Sequence, residues 1–571
     1  LDYTIKIGGE AGQGIQTIGD SLAKVFSRTG YYVFTHQEYE SRIRGGHNIY
    51  QIRFSDVPVT SSKSTIDIIV ALDRESIDAH EPELSAQGII VYDQFMLKET
   101  YTGDRFFNIP LLELAEKHGR DKIMANTVAV GAVLGMLGLG TDVFFGIIED
   151  TLRKKGDEVI NLNKDAFLAG YEFAAQECLQ CAFTVKPQGE PRMLIGVNEA
   201  IGLGAIASGC KFYSAYPMTP STGIMLFIAG KAKEYGIVVE QAEDEIAAIN
   251  MAIGASYAGV RSMTGTSGGG FALMVEGLSL AAMTETPIVI ALAQRPAPAT
   301  GLPTKTEQGD LLFALYAGHG EFPRVIFAPG SPEQAFYLTN KAFYISQRYQ
   351  IPVFILTDQY LSDSQWTEGA FDINSFIHRD YRIRGDSLEE IGDYKRHAYT
   401  EDGISPFGIP GTSTKLIVTD SDEHDEEGHI TEDPETRIMM VDKRLFKKMP
   451  LIKKEISLPL FYGDKDPDIV LVGWGSTYGV VKEAVDIISR HNKAAMIHFS
   501  EVYPLPSTEK MDYIGILRGA KKTICIENNA TSQFSMLIKS ETGYEFTHHI
   551  NRFDGRPFFA DLLARRIDDI H

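Results

Sequence analysis

The stretch FYSAYPMTPST, residues 212–222, decides the fold of the middle of the chain. A β-type apolar run ends in a turn where Pro217 and Pro220 fix their own φ angles and push the residues before them towards extended conformations. Helical periodicity follows from Ser221 onward. Thr219 before Pro220 predicts a helix N-cap and the first helical residue. Because ligands bind at the strand tips of open α/β sheets, the Thr219 hydroxyl also suits contact with a ligand, and the two interpretations are compatible.

Strand patterns alternate with helical patterns along most of the 571 residues, which exceed the size of one hydrophobic core. This alternation predicts a multidomain α/β protein. NTVAVGAVLGMLGL, residues 126–139, is apolar all round and predicts a buried helix. Stretches rich in charge, glycine and proline mark the connections. We expect three α/β sections, at residues 1–183, 193–375 and 466–571. A linker at 184–192 joins the first two sections, and an irregular acidic segment at 376–465 joins the last two.

The composition excludes several classes of partner. A net charge of −22 argues against binding to nucleic acid or to an anionic membrane. The most apolar stretches, such as TPIVIALAQ, are too short to span a bilayer, and the N-terminus has no basic region followed by an apolar core. We therefore expect no signal peptide and a cytoplasmic location.

The four cysteines are too few for a disulfide scaffold, which favours a reducing compartment. CLQC, residues 178–181, has the spacing of a metal-ligand pair, but no second pair exists to complete a zinc site or an iron–sulfur cluster. We therefore expect no metal or cluster in this chain. A redox role for the pair is the alternative.

The first glycine-rich turn, GGEAGQGIQ, places Gly12 and Gly14 between a strand and a helix. Backbone N–H groups at a helix N-terminus favour an anion such as phosphate. A threonine at the third glycine position breaks the dinucleotide-binding fingerprint, so a tight turn without a ligand is the alternative. Arg42 and Arg44 in SRIRGGHN suit a phosphate or carboxylate, or belong to an ordinary surface turn.

Carboxylates crowd the start of the helix in VVEQAEDEIAAINMAIGASYAG. Acidic residues at a helix N-terminus complement its dipole, which is the structural interpretation. Glu245, however, is followed by small residues that allow close packing, so its carboxylate loses solvation and is suited to proton exchange with a cofactor nitrogen. TGTSGGG, residues 264–270, lacks the Gly-Lys-Ser/Thr of a P-loop, and fits close passage of backbone past a cofactor or a subunit.

Arg295 follows the apolar strand IVIALA and opens a proline-rich loop, RPAPATGLPTKTEQGDL. An arginine at the carboxyl end of a buried strand is placed to bind a carboxylate in bidentate fashion. Thr304 and Lys305 offer further donors nearby. A salt bridge from Arg295 to Glu307 or Asp310 is the alternative.

Taken in order and spacing, YPMTPST, EQAEDEIAAINMAIGASYAG, TGTSGGG and RPAPATGLPTKTEQGDL resemble the α subunit of 2-oxoacid:ferredoxin oxidoreductases. KIGGEAGQGI and RIRGGHN resemble the γ component of the same family, here fused in front, so the resemblance covers nearly the whole chain. The acidic EHDEEGHITEDPETR and the fused arrangement are most similar to the 2-oxoglutarate branch.

The resemblance implies an enzyme that oxidatively decarboxylates a 2-oxoacid, passes the acyl group to coenzyme A and sends electrons to ferredoxin, or runs in reverse. Thiamine pyrophosphate is shared with a β subunit, which holds Mg²⁺ and a 4Fe–4S cluster, in a dimer of αβ heterodimers. Residues 1–183 then form the γ domain, 193–375 the pyrimidine-side cofactor domain and 466–571 a transketolase C-terminal-like domain. Pyruvate as substrate, a non-redox thiamine enzyme and an interaction scaffold are the rival hypotheses.

The resemblance also implies roles for individual residues. Glu245 matches the glutamate that hydrogen-bonds the aminopyrimidine ring, Thr219 the threonine near the reacting substrate, and Arg295 the arginine that holds the 1-carboxylate.

The resemblance further implies contacts of the turn residues and of the γ section. Tyr216, Pro217 and Met218 lie at the cofactor, with Met218 where isoleucine is common. The γ section, through its glycine turn and arginine pair, is expected to help cover coenzyme A.

Overall fold

The computed structural model describes residues 1–41, 45–178, 181 and 183–570. They form two compact units. The first unit holds Leu1–Ile195, Asp363–Ala370 and the chain from Phe559 onward, and the second holds Gly196–Ser362 and Phe371–Phe558. Among the described residues, no helix combines the length and apolar character needed to cross a bilayer.

The strands are β1 Asp2–Ala11, β2 Tyr32–Glu38, β3 Gly45–Ser55, β4 Ile66–Ala71, β5 Leu84–Tyr92, β6 Phe106–Asn108, β7 Met193–Gly196, β8 Phe212–Ala215, β9 Val238–Gln241, β10 Ser262–Thr266, β11 Ile288–Gln294, β12 Val325–Phe327, β13 Pro352–Asp358, β14 Ser364–Glu368, β15 Arg382–Ile383, β16 Phe407–Gly408, β17 Leu460–Gly463, β18 Ile469–Trp474, β19 Ala494–Phe499, β20 Glu501–Tyr503, β21 Lys522–Glu527 and β22 His548–Asn551.

The α-helices are α1 Ile15–Arg28, α2 Arg74–His80, α3 Gln94–Leu97, α4 Leu111–Leu114, α5 Ala125–Leu137, α6 Asp142–Leu152, α7 Asp157–Glu177, α8 Val197–Ala207, α9 Thr222–Tyr235, α10 Glu245–Tyr257, α11 Gly268–Met283, α12 Leu311–Tyr316, α13 Pro332–Tyr349, α14 Gln359–Ser362, α15 Asp386–Glu389, α16 Pro434–Val441, α17 Lys448–Glu455, α18 Tyr478–Ile488, α19 Tyr513–Gly519, α20 Gln533–Thr542 and α21 Ala560–Asp568. The predicted multidomain α/β class is confirmed.

The first unit is built on a sheet of order β6-β5-β4-β1-β3-β2-β14-β7. The strands β1, β4, β5 and β6 run parallel, whereas β3 pairs antiparallel with β1 and β2. Helix α5 is buried as predicted and packs closely against α7. A Cβ atom on Gly131 would lie 2.1 Å from the Phe167 carbonyl oxygen, and one on Gly135 would lie 2.4 Å from the Tyr171 carbonyl oxygen. Only glycine allows this approach of the two backbones.

Two distant segments complete the first unit. β14 pairs antiparallel with β2, and its Trp366 ring lies 5.3 Å from that of Phe34. Ser64 donates hydrogen bonds to Asp561 at the start of α21. Residues 363–370 and 559–570 were expected to belong to later sections, because contacts between distant segments leave no local signal.

The linker predicted at 184–192 contains no helix or strand, but its backbone is bound to the first unit. Gln188 N donates to the Thr29 carbonyl oxygen at 2.8 Å, and Arg192 N to the Ser27 carbonyl oxygen at 2.9 Å. Just before it, Cys178 and Cys181 are joined by a disulfide, whereas the low cysteine count led us to expect reduced thiols.

The second unit contains two sheets that share a core. A seven-stranded sheet of order β20-β12-β13-β11-β10-β8-β9 is parallel except for β20, which comes from the third section and pairs antiparallel with β12. A five-stranded sheet of order β17-β19-β18-β21-β22 is parallel except for β17. Apolar residues from both sheets, such as Leu292 and Val472, belong to one buried cluster.

Residues 376–465, predicted to be irregular, become helical over 434–455 and are anchored by a buried ion cluster. The Glu285 carboxylate accepts from Lys443 Nζ at 2.6 Å and from Lys448 Nζ at 2.5 Å, and lies 2.9 Å from His397 Nδ1. Burial raises the pKa of Glu285, but the two ammonium groups outweigh it and hold that pKa well below its ordinary value. The segment is therefore pinned to the seven-stranded sheet's domain by charge.

Candidate functional site

The predicted site residues of the second unit lie at one edge of the seven-stranded sheet. β8, β10 and β11 are parallel neighbours, with β10 in the middle. The chain leaves β8 towards Thr219 and leaves β11 towards Arg295, while β10 leads into α11. The carboxyl edge of an open parallel sheet is where ligands bind, so these residues converge on one crevice.

The turn after β8 closes before the helix starts. The carbonyl oxygen of Met218 accepts from Ser221 N at 2.9 Å, from Thr222 N at 3.2 Å and from Ser221 Oγ at 2.9 Å. α9 begins at Thr222, and Ser221 occupies the N-cap position. The prediction that Thr219 caps this helix with Pro220 as its first residue is therefore wrong, because the turn places both residues ahead of the helix.

Asn198 on α8 supports this turn and was missed by the sequence analysis. Its Nδ2 donates to the Pro220 carbonyl oxygen at 3.1 Å, and a Cβ atom on Gly223 would lie 2.6 Å from the same nitrogen. Tyr216, at the start of the turn, is 40% exposed, whereas Pro217 and Met218 are half-buried. Because Asn198 and this turn are distant in sequence, no local sequence pattern indicates that they are in contact.

Glu245 is the first residue of α10, and its carboxylate is buried. Asp244 is the N-cap and accepts from Ala247 N at 2.8 Å, so the cap does not use Glu245. Glu245 is 4% exposed, and its Oε1 has no hydrogen-bond partner among the described residues. An unpaired buried carboxylate oxygen costs folding free energy, which is typical of an atom reserved for a ligand.

The glycine run at the start of α11 makes room for this carboxylate. A Cβ atom on Gly270 would lie 2.4 Å from Glu245 Oε1 and 2.2 Å from Thr266 Oγ1. Thr266 Oγ1 in turn lies 3.9 Å from Met218 Sδ. The tips of β8 and β10 and the first turn of α10 are thus brought together, which places Met218 and Glu245 near Thr266.

Arg295 is held by the turn that carries Thr219. Its Nη1 donates to the Thr219 carbonyl oxygen at 2.8 Å. Burial lowers the pKa of Arg295, and the nearby Asp310 carboxylate acts in the opposite direction. The guanidinium stays charged at physiological pH and has further N–H donors for an anionic ligand.

Two carboxyl groups follow Arg295 in the loop: Asp310 interacts with Arg295, and Glu307 interacts with Asp310. Asp310 Oδ2 is buried without a hydrogen-bond partner among the described residues, and a Cβ atom on Gly268 would lie 2.5 Å from it. Burial raises the pKa of Asp310 to about 6, against the effect of Arg295, and burial together with Asp310 raises that of Glu307 to about 7. The sequence analysis considered both only as ion-pair partners of Arg295.

Thr304 and Lys305, the predicted substrate-loop residues, are half-buried. The Lys305 stem packs on Gly555, since a Cβ atom there would lie 3.0 Å from Lys305 Cβ. The loop between Arg295 and Asp310 is therefore packed against the chain that follows β22.

The predicted coenzyme A residues belong to the first unit. Gly12 and Gly14 have φ angles of 96° and 84°, which favour glycine, and Gly14 directly precedes α1. A Cβ atom on Gly14 would lie 1.8 Å from Asn126 Nδ2, whereas Gly12 has open space beside it. Arg42 and Arg44 lie outside the described residues.

Family models match most of the chain. Residues 203–443 match the thiamine diphosphate-binding model of pyruvate flavodoxin/ferredoxin oxidoreductases, and residues 4–173 match the pyruvate ferredoxin/flavodoxin oxidoreductase model. These matches show a thiamine diphosphate-binding oxidoreductase subunit, in which Glu245 is the first residue of α10.

Individual relatives narrow this class. The alpha subunit of a 2-oxoacid:ferredoxin oxidoreductase from Sulfolobus sp. is 33% identical, with 98% of this chain and 96% of the relative covered. The KorA subunit of a 2-oxoglutarate oxidoreductase from Mycobacterium tuberculosis is 28% identical, with 99% and 91% covered. The chain belongs to the 2-oxoacid:ferredoxin oxidoreductase family and corresponds to its alpha subunit, which confirms the predicted family.

A solved relative has the same fold. The 2-oxoglutarate:ferredoxin oxidoreductase from Magnetococcus marinus, with 2-oxoglutarate, coenzyme A and succinyl-CoA bound, is similar at a TM-score of 0.91 and 32% identity, covering 100% of this chain and 99% of that chain.

The described residues fit the aminopyrimidine half of thiamine diphosphate. The buried Glu245 Oε1 has no hydrogen-bond partner among the described residues, and the absence of a side chain on Gly270 leaves space beside it in which a ring nitrogen could bind.

Proposed function

We propose that this chain is the alpha subunit of a coenzyme A-dependent 2-oxoglutarate:ferredoxin oxidoreductase, which forms succinyl-CoA and CO₂ and reduces ferredoxin, in a reversible reaction. The unpaired, buried Oε1 of Glu245 supports the thiamine-dependent part of this proposal most strongly. The substrate is proposed from the names of the Mycobacterium tuberculosis and Magnetococcus marinus relatives.

Glu245 is proposed to hold and exchange a proton at the aminopyrimidine nitrogen. Its carboxylate is shielded from water, which strengthens that hydrogen bond. When bound, thiamine diphosphate supplies the electron sink for decarboxylation. Tyr216, Pro217 and Met218 are proposed to line the cofactor, because Met218 approaches Thr266 beside Glu245.

Arg295 is proposed to bind the 1-carboxylate of the substrate, and the Thr219 hydroxyl to approach the reacting oxygen. The bond from Arg295 to the Thr219 carbonyl oxygen fixes the guanidinium relative to that hydroxyl, so both groups need little reorganisation during the reaction. Thr304 and Lys305 are proposed to contact the substrate from the loop.

A β subunit is proposed to complete the site with Mg²⁺, the diphosphate-binding residues and a 4Fe–4S cluster. Exposed apolar side chains flank Glu245, with Ile246 50%, Met251 41% and Leu273 49% exposed. Such a surface suits burial against another subunit. Ferredoxin as acceptor, a dimer of αβ heterodimers and a cytoplasmic location complete the proposed assembly.

The domain roles follow the predicted division. Residues 193–375 are proposed to hold the pyrimidine side of the cofactor, and residues 1–183, with Gly12, Gly14, Arg42 and Arg44, to cover coenzyme A.

The test is to co-express this chain with its β subunit and to measure coenzyme A-dependent reduction of a viologen dye. The substrates are 2-oxoglutarate, pyruvate and branched 2-oxoacids. We expect the highest kcat/KM with 2-oxoglutarate. Faster turnover of pyruvate would refute the substrate assignment, and 2-oxoacid decarboxylation without dye reduction would favour a non-redox thiamine enzyme.

A further inference from the structure

The five-stranded sheet has a crevice of the kind that binds ligands in other α/β proteins. β18 is flanked by β19 on one side and β21 on the other, and all three strands are parallel. The point where connections leave a central strand in opposite directions is the usual ligand site. In this protein, the crevice is filled by the protein's own chain, at Gln308 of the loop that follows Arg295.

Every polar group of Gln308 is bonded inside this crevice. Its Nε2 donates to the Trp474 carbonyl oxygen at 2.9 Å, and its Oε1 accepts from Asn528 N at 2.9 Å. Its backbone N donates to the Asn528 carbonyl oxygen at 2.7 Å, and its carbonyl oxygen accepts from Asn529 Nδ2 at 3.1 Å. The residue has no exposed surface, so the side chain is locked in one conformation.

The wall of the crevice is itself held in place by Glu527. Its carboxylate accepts from Trp474 Nε1 at 3.2 Å, from Asn529 Nδ2 at 2.8 Å and from Phe534 N at 2.8 Å. The neighbouring Gln533 extends the contact, because its Nε2 donates to the Gly309 carbonyl oxygen at 2.7 Å. The third α/β section thus presents a rigid receptor for the loop.

Two residues after Gln308, the same loop contacts the edge of the seven-stranded sheet. Asp310 N donates to Gln294 Oε1 at 2.9 Å, and Gln294 directly precedes Arg295. Gln294 Nε2 donates to the Thr357 carbonyl oxygen at 3.1 Å. Gln308 therefore anchors the loop two residues before Asp310. The Asp310 carboxyl group faces Gly268, and its negative charge lowers the electrostatic potential at Arg295.

We propose that Gln308 is a positioning residue for the 2-oxoacid site: it docks the loop into the five-stranded sheet and so sets Asp310 beside Arg295. This inference rests on the proposed role of Arg295 in binding the substrate carboxylate. It assigns the third α/β section a function in substrate binding, although no residue of that section needs to touch the substrate.

The experiment compares three variants in the assembled complex. Gln308→Ala removes the side chain, and Gln308→Met keeps its volume but removes both of its hydrogen bonds. Gln347→Ala is the matched control, because Gln347 is also buried in the second unit and accepts from Arg261 Nη2 at 2.9 Å, away from the loop. The readouts are KM for 2-oxoglutarate, KM for coenzyme A, kcat, and hydrogen exchange of the amides at 304–312.

Both Gln308 variants are expected to raise KM for the 2-oxoacid by about tenfold and to leave KM for coenzyme A nearly unchanged. Exchange of the loop amides is expected to rise by about tenfold or more, while Gln347→Ala changes neither readout. Wild-type KM and exchange in both Gln308 variants would overturn the proposal. So would failure of both variants to assemble, or equal losses in kcat and in both KM values, since these results indicate a purely structural role.

The dye assay and the hydrogen-exchange measurement distinguish an error in the proposed function from an error in the role of Gln308. If the wild-type complex reduces the dye with none of the 2-oxoacids, the proposed function is wrong. Hydrogen exchange, which requires no turnover, then still reports whether Gln308 anchors the loop. If the wild type is active and the variants match it, only the positioning role is wrong.

Discussion

Arg295 Nη1 donates a 2.8 Å hydrogen bond to the carbonyl oxygen of Thr219. The two residues follow β11 and β8, which lie on either side of β10, so this bond bridges the carboxyl end of the strand that leads to α11. One N–H of the guanidinium is used in this bond, and a guanidinium has further N–H donors for an anionic ligand. The residue of the predicted catalytic hydroxyl is therefore bonded directly to the predicted carboxylate-binding cation.

Thr219→Ala is expected to assemble normally and to lose turnover by about tenfold or more, because it removes the hydroxyl that we propose stabilises developing charge. The free energy of unfolding should change by much less than the ~1 kcal/mol of a lost helix cap, since Ser221 and not Thr219 occupies the N-cap position. Steady-state kinetics and denaturant unfolding measure the two effects.

Ser221→Ala is the control for this turn. It removes the hydroxyl that donates to the Met218 carbonyl oxygen, so it should lower stability by about 1 kcal/mol and have a smaller effect on turnover. Wild-type turnover in Thr219→Ala would show that its hydroxyl has no part in the reaction.

Gly270→Ala is expected to weaken thiamine diphosphate binding by about tenfold, because overpacking typically costs roughly 1–3 kcal/mol. The new Cβ would lie 2.2 Å from Thr266 Oγ1 and 2.4 Å from Glu245 Oε1, so both side chains must move. Calorimetric titration of the cofactor into the assembled complex measures the change. Gly254→Ala on α10 is the control, because its added Cβ has open space and the variant should bind the cofactor normally. Equal affinities in the wild type, Gly270→Ala and Gly254→Ala would show that Gly270 does not shape the cofactor site.

The stability of the second unit should depend on pH through the carboxyl group of Asp310. Its pKa is raised to about 6 by burial, so the folded state binds more protons than the unfolded state. Stability from this group is present at low pH and is lost as the pH rises through the folded pKa. The melting temperature of the wild type should therefore fall more steeply between about pH 4 and about pH 7 than that of Asp310→Asn.

The exposed Asp386 provides the comparison, and Asp386→Asn should keep the wild-type pH dependence. Identical slopes in Asp310→Asn and the wild type would contradict the buried environment of Asp310.

Local sequence signals predicted that the candidate site residues lie at the ends of strands and helices. Strand, turn and helix patterns place Thr219, Glu245 and Arg295 at element boundaries, and parallel strands bring their carboxyl ends to one edge. The start of α9 was mispredicted, because three donors on the Met218 carbonyl oxygen close a separate turn first.

Long-range contacts gave no such signal. The pairing of β14 with β2 and the docking of Gln308 depend on strands far apart in the chain. The burial of Asp310 follows from its contact with the start of α11, which its charged sequence neighbourhood does not reveal.

Glu245→Gln compared with Glu243→Gln tests most directly whether the unpaired carboxylate oxygen serves a cofactor. Both changes remove one charge at the start of α10, but Glu245 is buried whereas Glu243 is exposed. With thiamine diphosphate content and assembly matched, we predict that Glu245→Gln lowers kcat for coenzyme A-dependent dye reduction with 2-oxoglutarate by about 10²-fold or more. Glu243→Gln should retain nearly full activity. Turnover in Glu245→Gln equal to that in Glu243→Gln would contradict the assignment of Glu245 as the proton-exchanging residue.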